Sequence, residues 1–272
     1  MPRKRLAKPP SSPYKKLVGQ RINVLLTGSA GRVGQAVVAE LQARGHAVRG
    51  FDRVPTPGLE DAVTGDVTHA SAVQRAMAGI HSLIHLAAVP DDVETPRAVL
   101  EELFPANITG LYHVMEAARA AGVKRVVLPS SGQVNWWQQQ RGPWPIRAED
   151  MASPKYWYAA TKMFMESIGR GYAETHGLSV IVARLGWCPR TPAQVEEIAA
   201  EAWAQDVYLS PGDAGRFFAA SIEAPADIRF ATVYAASQFI HKQRFDLESA
   251  KRLLNYEPRE HWPQGIEFLL GR

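Results

Sequence analysis

Tyr158 and Lys162 stand four positions apart in YAATK, and Ser131 lies upstream in LPSSG. On a helix, residues four apart share a face one turn apart, so this spacing lets a phenol and an ammonium look into one cleft. A phenol with an ordinary pKa near about 10 is a poor base at neutral pH, and a neighbouring cation stabilises the phenolate and draws it toward the working range. Ser131 then completes a donor pair, with a substrate hydroxyl or carbonyl oxygen held between its Oγ and the Tyr158 phenol. Lys162 is also placed to hydrogen-bond a ribose. Tyr-x-x-x-Lys occurs by chance on helix surfaces, so the reading rests on a glycine turn upstream and a serine at a strand end. Tyr156 and Tyr172 have no lysine four residues on and read as packing residues.

The element that must position a ligand for this pair is 22–34, INVLLTGSAGRVG. A short apolar run breaks into Gly28, Gly31 and Gly34 and then into the helical pattern VGQAVVAELQARG. Strand, tight glycine turn and helix N-terminus in this order offer unpaired N–H groups and a positive dipole end to a pyrophosphate. The glycines serve an unusual φ, a close approach of backbone to ligand, and close helix–strand packing. A second strand at 46–51 ends at Asp52, 24 positions after Gly28, near the spacing at which a carboxylate meets the adenosine ribose hydroxyls. Its charge repels a 2′-phosphate, which favours NAD over NADP. Arg32 and Arg53 work the other way, because guanidinium groups there welcome that phosphate.

Gly65-Asp66-Val67 follows, then an expected helix at 71–78 and a buried strand at 82–86 that runs into HLAAV. Small Ala87 and Ala88 at its carboxyl end let a flat cofactor lie close to the backbone. His85, a lone histidine in an apolar strand, reads as a packed core residue. A helical pattern at 105–121 holds Asn107, an apolar strand covers 123–128, and an aromatic loop carries Trp136, Trp137 and Trp144. A helix at 155–175, a strand at 178–184, helices near 192–204 and 211–223, a strand at 229–236 and two short helical pieces from 246 and 262 complete the chain. Alternating β and α segments imply an α/β fold, a Rossmann-type doubly wound parallel sheet with right-handed crossovers. Ligands bind outside the carboxyl ends of such strands, where the glycine turn, Asp52, Ala87, Ser131 and Gly186 fall together. The expected division is a disordered basic tail at 1–21, a dinucleotide-binding domain at 22–190, and a small C-terminal substrate-covering lobe at 191–272 interleaved with the last strand.

The formal net charge of +4 misleads about partners. Seven basic and no acidic residues lie in the first 21, so of 31 basic residues 24 remain for the body against 27 acidic ones. The excess sits in a Pro/Ser/Lys-rich leader, and no nucleic-acid partner follows from it. That leader lacks the apolar segment of a secretory signal, and no run is long enough to span a bilayer. A single cysteine, Cys188, excludes an internal disulfide framework and any multi-cysteine metal site, and points to a reducing cytoplasm.

TGSAGRVG, Asp52, Asp66-Val67, HLAA, Asn107, SSGQV and YAATK together resemble the extended short-chain dehydrogenase/reductase superfamily, in its NAD-dependent epimerase/dehydratase group. RLGWC, YLSPGDAGRFFAASIEAP and LLNYEPREHWPQG look most like uronate dehydrogenases. The resemblance implies a catalytic trio of Ser131, Tyr158 and Lys162, adenine contacts from Asp66 and Val67, and Asn107 in the proton-relay region. It extends the cofactor wall to Val33, Leu86 and Leu185 and implies a homodimer built on helices near 105–121 and 155–175. Ser131, Gly132, Trp187 and Arg190 are then the substrate-side residues. The chain departs from that pattern where Gly132 follows Ser131 in place of asparagine, where Pro90 replaces a serine, and where Trp187 replaces a small polar residue. No clear counterpart of the arginine that clamps a uronate carboxylate is present, and Arg190 is only nearby. Tryptophans beside a sugar site can stack on a pyranose face, but seven in a domain of this size fit a core role. The expected activity is NAD-dependent hydride transfer with a sugar, sugar acid or polyol. The alternatives are a nucleotide-sugar epimerase or dehydratase that retains its NAD, or a catalytically silent NAD-binding protein.

Overall fold

The computed structural model describes residues 20–92 and 95–269. Most of the basic leader, expected as a tail, lies outside the described residues. Seven strands form one parallel sheet in the order β3-β2-β1-β4-β5-β6-β7. They are β1 (Asn23–Thr27), β2 (Ala47–Asp52), β3 (Ala62–Thr64), β4 (Ser82–His85), β5 (Arg125–Ser131), β6 (Ser179–Leu185) and β7 (Phe230–Ala235). The helices that join and flank them are α1 (Arg32–Ala43), α2 (Ala70–Ala76), α3 (Pro96–Ala98), α4 (Leu111–Ala120), α5 (Trp136–Arg141) and α6 (Trp157–His176). After β6 come α7 (Pro192–Ala200), α8 (Ala202–Gln205), α9 (Pro211–Glu223), α10 (Glu248–Leu254) and α11 (Ile266–Leu269).

The strands read as mainly apolar runs, without a regular apolar–polar alternation, because helices cover both faces. Alternate side chains prove it: Val24 and Leu26 join Val37, Leu41, Phe217 and Phe218 in one core layer. Leu25, between them, points to the other layer with Val114, Leu128 and Met165. The chain winds outward from β1 to β2 and β3, then returns to place β4 on β1's other side, with Thr27 opposite His85. That reversal opens a crevice at the strands' carboxyl ends, beside β1 and β4.

Several boundaries differ from the sequence expectation. The helix expected at 105–121 is entered at Pro96 and reaches Ala120 through two π-helical stretches, Val99–Leu103 and Pro105–Gly110. Pro105 has no N–H to donate and would crowd the carbonyl four residues back, and the wider π spacing accommodates it. The helix expected at 192–204 is broken at Glu201, whose backbone is extended. The aromatic loop contains a helix of its own, α5. Strand β3 has only three residues and no periodic pattern to announce it. Downstream of 190 the chain interleaves with the sheet: β7 pairs with β6 from Val180–Phe230 to Leu185–Ala235, and α9 packs in the same layer as α1. Among the described residues no helix is long and apolar enough to cross a membrane, and no group of three His, Cys, Asp or Glu side chains is gathered to hold a metal.

Candidate active site

The β1–α1 turn is pressed against the end of β4. Gly28 has φ +75°, and a Cβ there would stand 2.6 Å from Ala87 N. A Cβ on Gly34 would stand 2.2 Å from Gly28 O, so the first turn of α1 rests directly on the loop. Gly31 occupies the N-cap position of α1 with no side-chain capping bond and no acidic residue in the first turn. The N–H groups of that turn are therefore not taken by a capping side chain, and Gly28, Gly31, Arg32, Val33 and Gly34 all line one cleft of about 650 Å³. An open helix N-terminus with glycines on its approach is the arrangement that a pyrophosphate needs, and the donor set fits NAD.

Asp52, at the end of β2, accepts a hydrogen bond from Ala30 N at 3.0 Å, which ties the glycine loop to the neighbouring strand. Asp66 accepts from the N–H and the hydroxyl of Thr68, both at 2.8 Å on Oδ1. Burial opposes its ionisation, but those two bonds and the nearby Arg53 outweigh it and hold its pKa below the usual value. Val67 turns its side chain into the core, and its carbonyl meets His113 Nδ1 at 3.1 Å. Leu86, Ala88 and Leu185 line the cleft. Asp52, Arg53, Asp66, Val67, Ala87 and Asn107 stand outside its wall. Ala87 packs against the core instead. Asn107 is committed to bracing: Oδ1 accepts from Val89 N at 2.8 Å, and Nδ2 donates to Val89 O and to Thr161 Oγ1, each at 3.1 Å. It joins the segment after β4 to the helix that carries Tyr158 and Lys162, a positioning arrangement. His85 is a core residue: it is 1% exposed, its Nδ1 lies 2.7 Å from Thr27 Oγ1, and burial, with Lys162 nearby, lowers its pKa to about 3.

Ser131, Tyr158 and Lys162 all line the same cleft. Tyr158 and Ser131 share a hydrogen bond. Lys162 Nζ lies 5.4 Å from the centroid of the Tyr158 ring and donates to Pro129 O at 3.0 Å. The electrostatics differ from the sequence expectation. Burial raises the Tyr158 pKa, Asp91 adds to that, and Arg190 and the Ser131 hydrogen bond act against it. Burial also pulls Lys162 down, to about 8. Two polar groups removed from water each lean toward their neutral forms, and for Tyr158 that cost exceeds the help from Arg190 and Ser131. Burial likewise pushes the Cys188 thiol up to about 12, so it is no ready nucleophile.

The substrate end of the cleft contains residues that no motif announced. Gly132 stands where a Cβ would meet the Phe245 ring at 2.8 Å, so the aromatic ring takes the space of a longer side chain. Gln139 donates through Nε2 to Gly132 O. Trp136, Trp187 and Trp203 form part of the wall, with ring centroids 6.3 Å apart for Trp136–Trp203 and 6.0 Å for Trp187–Trp203. Trp144 and Trp262 pack into core clusters, and Trp187 and Trp203 pack against those same clusters while also lining the cleft. Tyr156, read as a packing residue, does pack edge-on against Trp136 at 5.5 Å but also lines the cleft. Arg190 lines it too, bonded to Asp91. Asp91, Gln133, Gln139, Trp203 and Phe245 come from irregular or distant segments, where periodicity carries no signal.

Comparison with known proteins places this geometry. The model of the NAD dependent epimerase/dehydratase family matches residues 24–187. L-arabinose 1-dehydrogenase (NAD(P)(+)) of Haloferax volcanii is 30% identical over 90% of this chain and 99% of its own. Uronate dehydrogenase of Pseudomonas syringae is 32% identical over 60% of this chain and 58% of its own. The structure of glucuronic acid dehydrogenase from Chromohalobacter salexigens is similar with a TM-score of 0.73 at 28% identity, over 92% of this chain and 89% of that one.

Proposed function

The chain belongs to the NAD-dependent epimerase/dehydratase family, and from that premise we propose that it is an NAD-dependent dehydrogenase of a sugar or a closely related polyhydroxyl compound. The observation that carries the reading is the meeting of Ser131, Tyr158 and Lys162 in the one cleft that also holds the uncapped first turn of α1. The first turn of α1 with Gly28 and Gly31 would hold the pyrophosphate, Asp52 the adenosine ribose, Asp66 and the Val67 main chain the adenine, and Lys162 the nicotinamide ribose. Leu86, Ala88 and Leu185 would line the cofactor's path. Bound NAD supplies the acceptor for a hydride from the substrate carbon.

The chain's own residues handle the proton. Ser131 and Tyr158 hold the substrate hydroxyl between them, and Tyr158, in its phenolate form, takes the hydroxyl proton as the carbon–oxygen bond becomes a carbonyl. Ser131 and Arg190 favour the phenolate, as their effect on Tyr158 indicates. Asn107 keeps the helix in register with the segment after β4 through Thr161, which donates back to Tyr158 O at 2.7 Å. Asp52 favours NAD over NADP by charge. Exposed Leu100, Tyr112, Trp157 and Phe164 on the α3–α4 segment and α6 offer an apolar face to a second copy, which supports a homodimer. A cytoplasmic setting completes the proposal and accords with the single cysteine, which is free.

The test is NADH formation from NAD with a panel of aldoses, sugar acids and polyols. Tyr158→Phe should retain NAD binding and lose about two to four orders of magnitude in kcat. Full turnover by that variant would remove the assignment, and sugar isomerisation without net NADH would replace it with epimerase chemistry.

A further inference from the structure

Arg190, which the resemblance puts on the substrate side, and Asp91, which no motif announced, face each other at the substrate end of the cleft. Asp91 lies after β4 and Arg190 after β6. Arg190 Nη2 stands 2.7 Å from Asp91 Oδ1 and 3.7 Å from Asp92 Oδ2. Gln133 donates to the second oxygen of Asp91, and the Arg190 main-chain N–H donates to Gln194 Oε1 at 2.7 Å. With side-chain exposures of 35% and 26%, the pair is half-buried and held from both sides.

Its position decides what charge a substrate can carry. Arg190 is the guanidinium of this half of the wall, since Arg32 belongs to the first turn of α1 at the other end. Lys162 lies by Tyr158, bonded to Pro129 O. Lys155 is exposed and does not line the cleft, its Nζ lying 5.3 and 4.6 Å from the ring centroids of Trp136 and Tyr156. Glu197 adds a further carboxylate to the lining. An entering carboxylate or phosphate must therefore displace Asp91 from a charge-assisted hydrogen bond and settle beside Asp92 and Glu197. An uncharged polyhydroxyl compound meets the reverse: Asp91 and Gln133 present an acceptor and an amide, and Trp136, Trp187 and Trp203 present apolar surface for a ring face.

We propose that Asp91, by occupying Arg190, is a specificity-determining residue that selects an uncharged sugar over a sugar acid or a sugar phosphate. The proposal rests on the dehydrogenase reading above and narrows it. The experiment is kcat/KM at saturating NAD for two matched pairs, galactose with galacturonate and glucose with glucuronate, whose members differ only at the sixth carbon. Wild-type protein should prefer the uncharged member by about tenfold or more. Asp91→Asn, of equal size but without the charge, should shift that ratio toward the acid by about tenfold, or about 1.4 kcal/mol, and Asp91→Ser should move it the same way. The ratio is taken within one preparation, so a loss of folded protein leaves it unaffected. Equal or better turnover of the acids by wild type, or an unchanged ratio in both variants, overturns the proposal while the dehydrogenase reading stands. No NADH from these sugars or from a wider aldose panel overturns both.

Discussion

Replacing Lys162 by methionine separates what the residue does for catalysis from what its charge costs the fold. Lys162 is 3% exposed, and burial lowers its pKa from 10.5 to about 8. Below that value the folded protein bears a buried ammonium whose protonation is disfavoured relative to the unfolded chain by about 3 kcal/mol, at about 1.4 kcal/mol per unit. Between the two values the unfolded chain binds more protons than the folded one, so this group makes unfolding free energy rise with pH. Going from about pH 7.5 to about pH 9.5, its contribution to stability should improve by about 2 kcal/mol. Lys162→Met keeps an unbranched apolar stem and removes the titration. The hydrogen bond to Pro129 O weakens as the amine loses its charge, and that change is already contained in the folded-state pKa. The assay is urea unfolding of both proteins at both pH values. Wild type should gain about 2 kcal/mol more than the variant, while the variant loses at least about two orders of magnitude in NADH formation. Identical pH dependence in the two proteins would refute the placement of an ammonium in a dehydrated site.

Gly34→Ala places a methyl 2.2 Å from Gly28 O, where only backbone can give way; NAD affinity measured by calorimetry should fall at least about tenfold and stability by about 1–3 kcal/mol. Tyr256→Phe removes a buried hydroxyl that has no hydrogen-bond partner among the described residues. It should raise unfolding free energy by about 1 kcal/mol in urea melts and leave kcat/KM unchanged, because Tyr256 packs with Phe217, away from the cleft wall.

The proposed chemistry of the site can be read in the sequence because the residues that would carry it are spaced by local geometry. One turn of α6 fixes Tyr158 against Lys162, and the β1–α1 turn fixes Gly28, Gly31 and Gly34; both can be read within a dozen residues. Most strand runs were also plain, since burial on both faces leaves polar residues such as His85, Arg125 and Arg184 as isolated interruptions, although three-residue β3 gave no such signal. The expected pKa tuning was not, because the sequence shows that Tyr158 and Lys162 are neighbours but not that both are withdrawn from water. Substrate-end contacts were beyond reach for another reason. Asp91 meets Gln133 and Arg190 across 42 and 99 residues, and Phe245 meets Gly132 from across the chain. Each sits on an irregular segment, where no period of two or 3.6 constrains a side chain's direction. The elements proposed to hold a dinucleotide and move a proton are set by strand ends and helix turns, whereas the wall proposed to meet the substrate is set by how loops of unrelated sequence pair. A change at Asp91 or Phe245 can therefore alter which sugar fits while leaving the glycine turn and the Tyr158–Lys162 spacing in place, so one scaffold can accept different substrates.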